Sequence, residues 1–261
     1  MRACIRQRYP DSRKTEGVTT ANLQPLGGVF GGGGLFGIGY AMGVLEGLQP
    51  RGIKLDEVPL LGTSAGSWAA AATAFEVPFE TLADMRVPSF PNPKPGLLAS
   101  IAREMFGDKT DPLIQVVACS LPRLRRTVLD GGKYPLADLV AASSAVPALL
   151  SPHVIDGKKY IDGGVRSGTS VDFGPDVEKL VLVAPLAGAM WGPFARFVDR
   201  GMHNEVERWR ERTGGKVLIF TPRNTAASIA RNPKHLFDKD RAIEAYHLGL
   251  EEARTADITF T

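Results

Sequence analysis

Two glycine-rich turns, about thirty residues apart and each set between an apolar run and a helix-like run, constrain this 261-residue chain more than anything else in it. Leu26–Phe30 is a short strand candidate, Gly31–Gly34 a loop, and Gly37–Leu48 a helix with Tyr40, Val44 and Leu48 along its apolar face. Val58–Leu61 reads as a buried strand, followed at once by Gly62–Gly66 and an alanine-rich helix through about Phe75. A strand that hands over directly to a helix, twice in succession, predicts a parallel sheet with helices on its faces. Beyond an irregular stretch at Pro88, Pro91, Pro93 and Pro95, helices are expected at Gly96–Phe106, Leu136–Ser143, Phe194–Arg212 and Asp240–Arg254. Strands are expected at Leu113–Ser120, Thr127–Leu129, Lys179–Ala184 and Lys216–Thr221. Val154–Ile155 and Lys159–Ile161 flank Asp156-Gly157, a pair suited to a tight hairpin turn. No repeat or linker divides the chain, so one domain is expected over residues 25–261, after a flexible polar extension over 1–24.

Composition removes several classes. The chain is 44% hydrophobic and 23% charged, which excludes wholesale disorder and fibrous repeats. Thirty-one basic against twenty-eight acidic residues leave +3, with no basic block, so charge does not call for nucleic acid as a partner. Two cysteines, Cys4 and Cys119, are too few for a disulfide framework or a zinc site, and a reducing, cytoplasmic setting is the expectation. No apolar stretch follows the basic N-terminus as a secretory signal would need. Val18–Leu45 and Val58–Phe75 are too rich in Gly, Ala, Ser and Thr to span a membrane.

The strongest chemical signal is Gly62-Thr63-Ser64-Ala65-Gly66. A G-x-S-x-G turn between a buried strand and a small-residue helix holds a serine hydroxyl exposed at the sheet's carboxyl edge. Gly62 and Gly66 let neighbouring backbone approach this elbow. The earlier run Gly31–Gly34 can supply an oxyanion hole from the amides of Gly32, Gly33 and Gly34, with Gly33 and Gly34 favoured. A rival reading takes Gly32, Gly34 and Gly37 as a dinucleotide fingerprint with Asp56 as the ribose acid, but it leaves the serine elbow unexplained. Three Asp-Gly pairs compete for the role of base. Asp156 suits a turn, Asp162 sits at a strand end where a carboxylate can be held rigidly, and Asp130 is its competitor. His153, His203, His235 and His247 are scattered. The interval from Gly34 to Gly62 holds one helix and one strand, too little for the α/β-hydrolase order that a Ser–Asp–His triad would follow. No residue cluster has metal-ligand spacing, and no cofactor is expected.

Together, the glycine loop, the GTSAG turn and Asp162-Gly163-Gly164 resemble the patatin-like phospholipase family in its bacterial form, from about Leu26 to the last helix. Ala141-Ala142-Ser143-Ser144-Ala145-Val146-Pro147 resembles the family segment ahead of the aspartate strand, which supports Asp162 over Asp130. Phe36 stands where the family commonly carries a basic residue, and Ser170 where asparagine is often found. The resemblance implies a three-layer α/β/α sandwich and a Ser64–Asp162 dyad. It also implies acyl hydrolysis of a lipid or carboxyl ester, met in brief contact with a membrane surface. Leu97, Leu98, Ile101, Met105 and Phe106 would share one helix face, to be placed either in the core or, with Phe90, in a lid. A lipid- or dinucleotide-binding protein without turnover is the alternative.

Overall fold

The computed structural model describes residues 23–86, 88–187, 193–223, 226–230 and 232–261. Up to residue 22, the expected N-terminal extension lies outside the described residues. Elements follow in the order β1 (Gln24–Phe30), α1 (Gly34–Leu48), β2 (Leu60–Thr63), α2 (Ala65–Ala74), α3 (Phe79–Ala83), α4 (Leu97–Phe106), β3 (Ile114–Ser120) and β4 (Arg125–Asp130). Then come α5 (Leu136–Ser143), β5 (His153–Ile155), β6 (Lys158–Asp162), β7 (Val177–Val183), α6 (Pro193–Thr213), β8 (Lys216–Phe220), α7 (Ala226–Ile229) and α8 (Lys239–Thr255). The short helices α3 and α7 were not expected, because one turn of helix carries no readable periodicity. Strand β1 starts at Gln24, two residues ahead of the expected Leu26.

Parallel strands lie in the order β3-β2-β1-β7-β8, and the chain reverses direction across the sheet at β1. The β5–β6 hairpin turns through Asp156 and Gly157, whose φ angles of 48° and 72° are those of the tight turn read from the sequence. Strand β4 runs antiparallel along one edge of β3, from Gln115↔Asp130 to Ser120↔Arg125. The other edge of β3 is divided: β2 pairs with its first half up to Thr63↔Val117, and β6 with its second half from Ala118↔Asp162.

Side chains alternate between two helical layers, as the two-residue period of a strand requires. Val29, Leu61, Val117, Leu180 and Leu182 face Met202, Val206 and Trp209 of α6. Phe30, Leu60, Val116, Val181 and Val183 face the layer built from α1, α2, α4, α5 and α8. This is the three-layer α/β/α sandwich, with a mainly parallel central sheet. None of the helices among the described residues is long and apolar enough to cross a membrane.

Helix α1 carries Gly39, Gly43 and Gly47, an unfavourable composition for a helix interior, and its contacts supply the reason. A Cβ at Gly43 would lie 2.0 Å from the Tyr246 carbonyl oxygen and 2.9 Å from the Leu250 nitrogen, so α1 and α8 touch backbone to backbone. The same contact buries Tyr40, whose hydroxyl donates to Glu252 Oε2 at 2.6 Å, while Glu252 Oε1 accepts the Arg223 N–H at 2.9 Å. Gly43→Ala is expected to destabilise the protein by about 3 kcal/mol through overpacking; chemical denaturation monitored by tryptophan fluorescence measures this.

Candidate active site

The divided edge of β3 brings two strand ends together. Strand β2 runs parallel to β3 and ends at Thr63; β6 runs antiparallel and ends at Asp162. Their partners, Val117 and Ala118, are consecutive, so the residues leaving the two strands meet at one point. There Ser64 Oγ donates a hydrogen bond of 2.6 Å to Asp162 Oδ2.

Ser64 occupies a strained turn, with φ 52° and ψ −122°. Glycine is obligatory on both sides of it: a Cβ at Gly62 would lie 2.4 Å from Ser67 Cα, and one at Gly66 1.9 Å from the Phe30 carbonyl oxygen. The turn is also held from outside. Ser143 Oγ accepts the Ser64 N–H at 2.7 Å and donates to the Val117 carbonyl at 2.7 Å. Two residues on, the Ala145 carbonyl accepts the Asp162 N–H at 3.0 Å. The 143–145 segment therefore grips both partners. No role was expected of Ser143 from the sequence, because its partners Ser64 and Val117 meet it only in the folded chain.

Asp162 is 5% exposed, and its Oδ1 accepts the Gly164 N–H at 2.6 Å. Burial pushes its carboxyl from the ordinary 3.8 up to about 6, against the downward pull of the Ser64 and Gly164 hydrogen bonds. Asp130 lies apart from this pair. Its Oδ1 accepts the Gly132 N–H at 2.9 Å in a turn, opposite Gln115 near the other end of β3.

The glycine turn needs one correction. Gly32 lines the cavity beside Ser64, but its N–H donates to the Gly168 carbonyl at 2.8 Å and is not available to a substrate oxygen. The N–H groups of Gly33 and Gly34 have no acceptor among the described residues, and both glycines line the same cavity at the start of α1. Phe36 is fully buried and stacks on Tyr40, so the position where the family carries a basic residue here faces the core.

Ser64 and Asp162 open onto a cavity of about 460 Å³ whose walls include Ile38, Trp68, Leu98, Ile101, Val146 and Leu236. Helix α4 is a core helix: Phe106 is buried against Trp68 and Phe75, with ring centroids 5.9 and 6.2 Å away. Its Leu98 and Ile101 form part of the cavity wall, and Phe90, in the preceding loop, lines the cavity while packing on Phe237 at 5.0 Å. No histidine lines this cavity: His153 pairs with Asp138 and His203 with Asp199. His235 contacts Asn232, and His247 contacts Tyr246. The dinucleotide reading also fails on position, since Asp56 is exposed and precedes β2, whereas a ribose-binding acid follows the second strand. Among the described residues no group of three His, Cys, Asp or Glu side chains is placed to hold a metal ion.

The family profile for patatin-like phospholipases matches residues 28–173, more than half of the chain and including both Ser64 and Asp162. The chain belongs to the patatin-like phospholipase family. Human GIVD cytosolic phospholipase A2, in complex with methyl gamma-linolenyl fluorophosphonate, has a similar fold at 10% identity and a TM-score of 0.50, covering 89% of this chain and 58% of that one. VipD from Legionella pneumophila matches at 14% identity and a TM-score of 0.45, covering 88% of this chain and 66% of that one. The chain thus spans less than two thirds of the length of these two structures. No curated protein matches its sequence.

The buried carboxyl has a measurable signature in stability. With a folded-state value of about 6 against 3.8, Asp162 weakens the native state as pH rises from about 4 to about 6. Relative to the parent, Asp162→Asn should therefore gain roughly 3 kcal/mol between about pH 4 and about pH 7. Urea unfolding at the two pH values tests this, and a difference that stays constant with pH would refute it.

Proposed function

We propose that this chain is a serine lipid acyl hydrolase, a phospholipase or carboxyl esterase in which Ser64 and Asp162 act as a dyad. The observation that carries this reading is the 2.6 Å bond between Ser64 Oγ and Asp162 Oδ2 in the wall of an apolar cavity. In this reading Ser64 Oγ attacks the ester carbonyl as Asp162 takes its proton. The carbonyl oxygen becomes an oxyanion facing the Gly33 and Gly34 amides, where one such donor is typically worth about 3 kcal/mol. Collapse expels the alcohol, which receives the proton from Asp162, and leaves an acyl-Ser64 ester. Asp162 then deprotonates water for its attack on that ester; the acyl carbon–Oγ bond breaks, the carboxylic acid leaves, and Asp162 returns the proton to Ser64 Oγ. Burial helps here: a carboxyl raised to about 6 is a stronger base than a solvated one and is still ionised at neutral pH.

Ser64→Ala and Asp162→Asn should each abolish hydrolysis of a p-nitrophenyl ester, and Ser64→Ala should also abolish labelling by an alkyl fluorophosphonate. The logarithm of kcat/KM should fall with unit slope below about pH 6, as Asp162 takes up a proton and ceases to be a base. A folded parent protein that neither labels nor turns over would instead support a lipid-holding protein without catalysis. Replacement of a histidine that alone abolished turnover would overturn the dyad.

Because Leu98 lines the cavity, Leu98→Trp should shorten the acyl chain that fits. The ratio of kcat/KM for a sixteen-carbon ester to that for a four-carbon ester is expected to fall about tenfold, the scale of one or two methylene contacts. A chain-length series of p-nitrophenyl esters measures it.

A further inference from the structure

We infer that Glu205, on α6, is a positioning residue for the Ser64 centre, acting through the segment 167–171 that braces both the glycine turn and the elbow. The inference rests on the acyl-hydrolase reading above.

Glu205 is 6% exposed, and its carboxylate is fully engaged. Oε2 accepts Thr169 Oγ1 at 2.8 Å and the Val171 N–H at 3.1 Å, while Oε1 accepts Arg126 Nη1 at 3.1 Å. Arg126 is itself fixed by two parallel bonds of 2.7 Å to Asp172 and lies over the Phe173 ring at 4.5 Å. One buried carboxylate thus ties Thr169 and Val171 of the segment to α6.

The segment in turn touches the residues just ahead of the reacting groups. The Gly168 carbonyl accepts the Gly32 N–H at 2.8 Å, one residue before Gly33. The Thr169 carbonyl accepts Thr63 Oγ1 at 3.3 Å, one residue before Ser64. A Cβ at Gly31 would lie 2.9 Å from the Gly168 oxygen, so there is no slack between the two loops. The segment is not a conformation the chain favours unaided. Ser170 sits at φ 56°, and its buried hydroxyl has no partner among the described residues. Ser167 Oγ accepts the Thr169 and Ser170 N–H groups at 3.2 and 2.8 Å from within the segment, and Glu205 restrains it from outside. Glu205 does not line the cavity, and its two bonds to Thr169 and Val171 are its link to the segment that touches the glycine turn and the elbow. Displacing oxyanion donors by a fraction of an ångström is costly, since such groups act only when already in place.

The test compares Glu205→Ala and Glu205→Gln with the parent on a soluble short-chain ester, with active serine counted by fluorophosphonate titration. Glu205→Ala should lower kcat per titrated site by about tenfold or more with KM within about twofold. Its affinity for an alkyl trifluoromethyl ketone, which forms a tetrahedral oxyanion adduct on Ser64, should fall by the same factor. Glu205→Gln should restore most of both, because the amide oxygen can still accept from Thr169 and Val171. Unchanged kcat per titrated site in Glu205→Ala, or equal loss in the Ala and Gln variants, would overturn the inference. If Glu205→Ala does not fold, Thr169→Val removes one of the two bonds to the segment: a parallel drop of about threefold in kcat and ketone affinity supports the role, and parental values refute it. A parent that is itself inactive refutes the hydrolase reading and this inference together, whereas an active parent with indifferent variants refutes only the latter.

Discussion

A strand has two edges, and in this protein one edge of β3 serves two other strands. Strand β4 fills one side from Gln115 to Ser120; on the other, β2 stops at Val117 and β6 stops at Ala118. Because β2 is parallel and β6 antiparallel to β3, the ends that meet are both carboxyl ends, from which Ser64 and Asp162 follow or project. The spacing of the pair is thus set by backbone hydrogen bonding and register, which allow no continuous adjustment. Ser143 reinforces this at the same place, bonding the Val117 carbonyl with its hydroxyl and receiving the Ser64 N–H.

Burial acts on the pair in opposite directions. Burial raises the Asp162 carboxyl to about 6, and the cost of holding an anion away from water falls on the folded state. The hydrogen bonds from Ser64 and Gly164 offset part of that cost without adding a countercharge, which would depress the carboxyl further. One largely buried ionic cluster, Arg126 with Asp172 and Glu205, lies behind the segment 167–171.

Much of this was legible in the sequence, for reasons that are local. Parallel strands covered on both faces are continuous apolar runs, so Lys179–Ala184 and Lys216–Thr221 read almost as β7 and β8 stand. The GTSAG turn could be read because backbone at Ser67 and Phe30 leaves no room for a side chain at positions 62 and 66. Choosing Asp162 over Asp130 was not a local matter. Both are Asp-Gly pairs at strand ends, and what separates them is the end and edge of β3 that each occupies, set by pairing distant in sequence. For the same reason the engaged amide of Gly32 and the grip of Ser143 could not be read, since Gly168 and Val117 reach them only in the folded chain. The apolar stripe of α4 announced a buried face but not that this face serves both the core, through Phe106, and the cavity, through Leu98.

The backbone contact between α1 and α8 also imposes an order on assembly. Tyr40 and Glu252 are 212 positions apart in sequence, and between them lies every other strand of the sheet except β1. During synthesis from the N-terminus, the flat glycine stripe of α1 is made before its partner and is covered only once residues 239–255 have left the ribosome. The first turn of α1 is also where Gly34 lines the cavity, so the helix whose glycine stripe receives α8 carries part of the cavity wall at its other end.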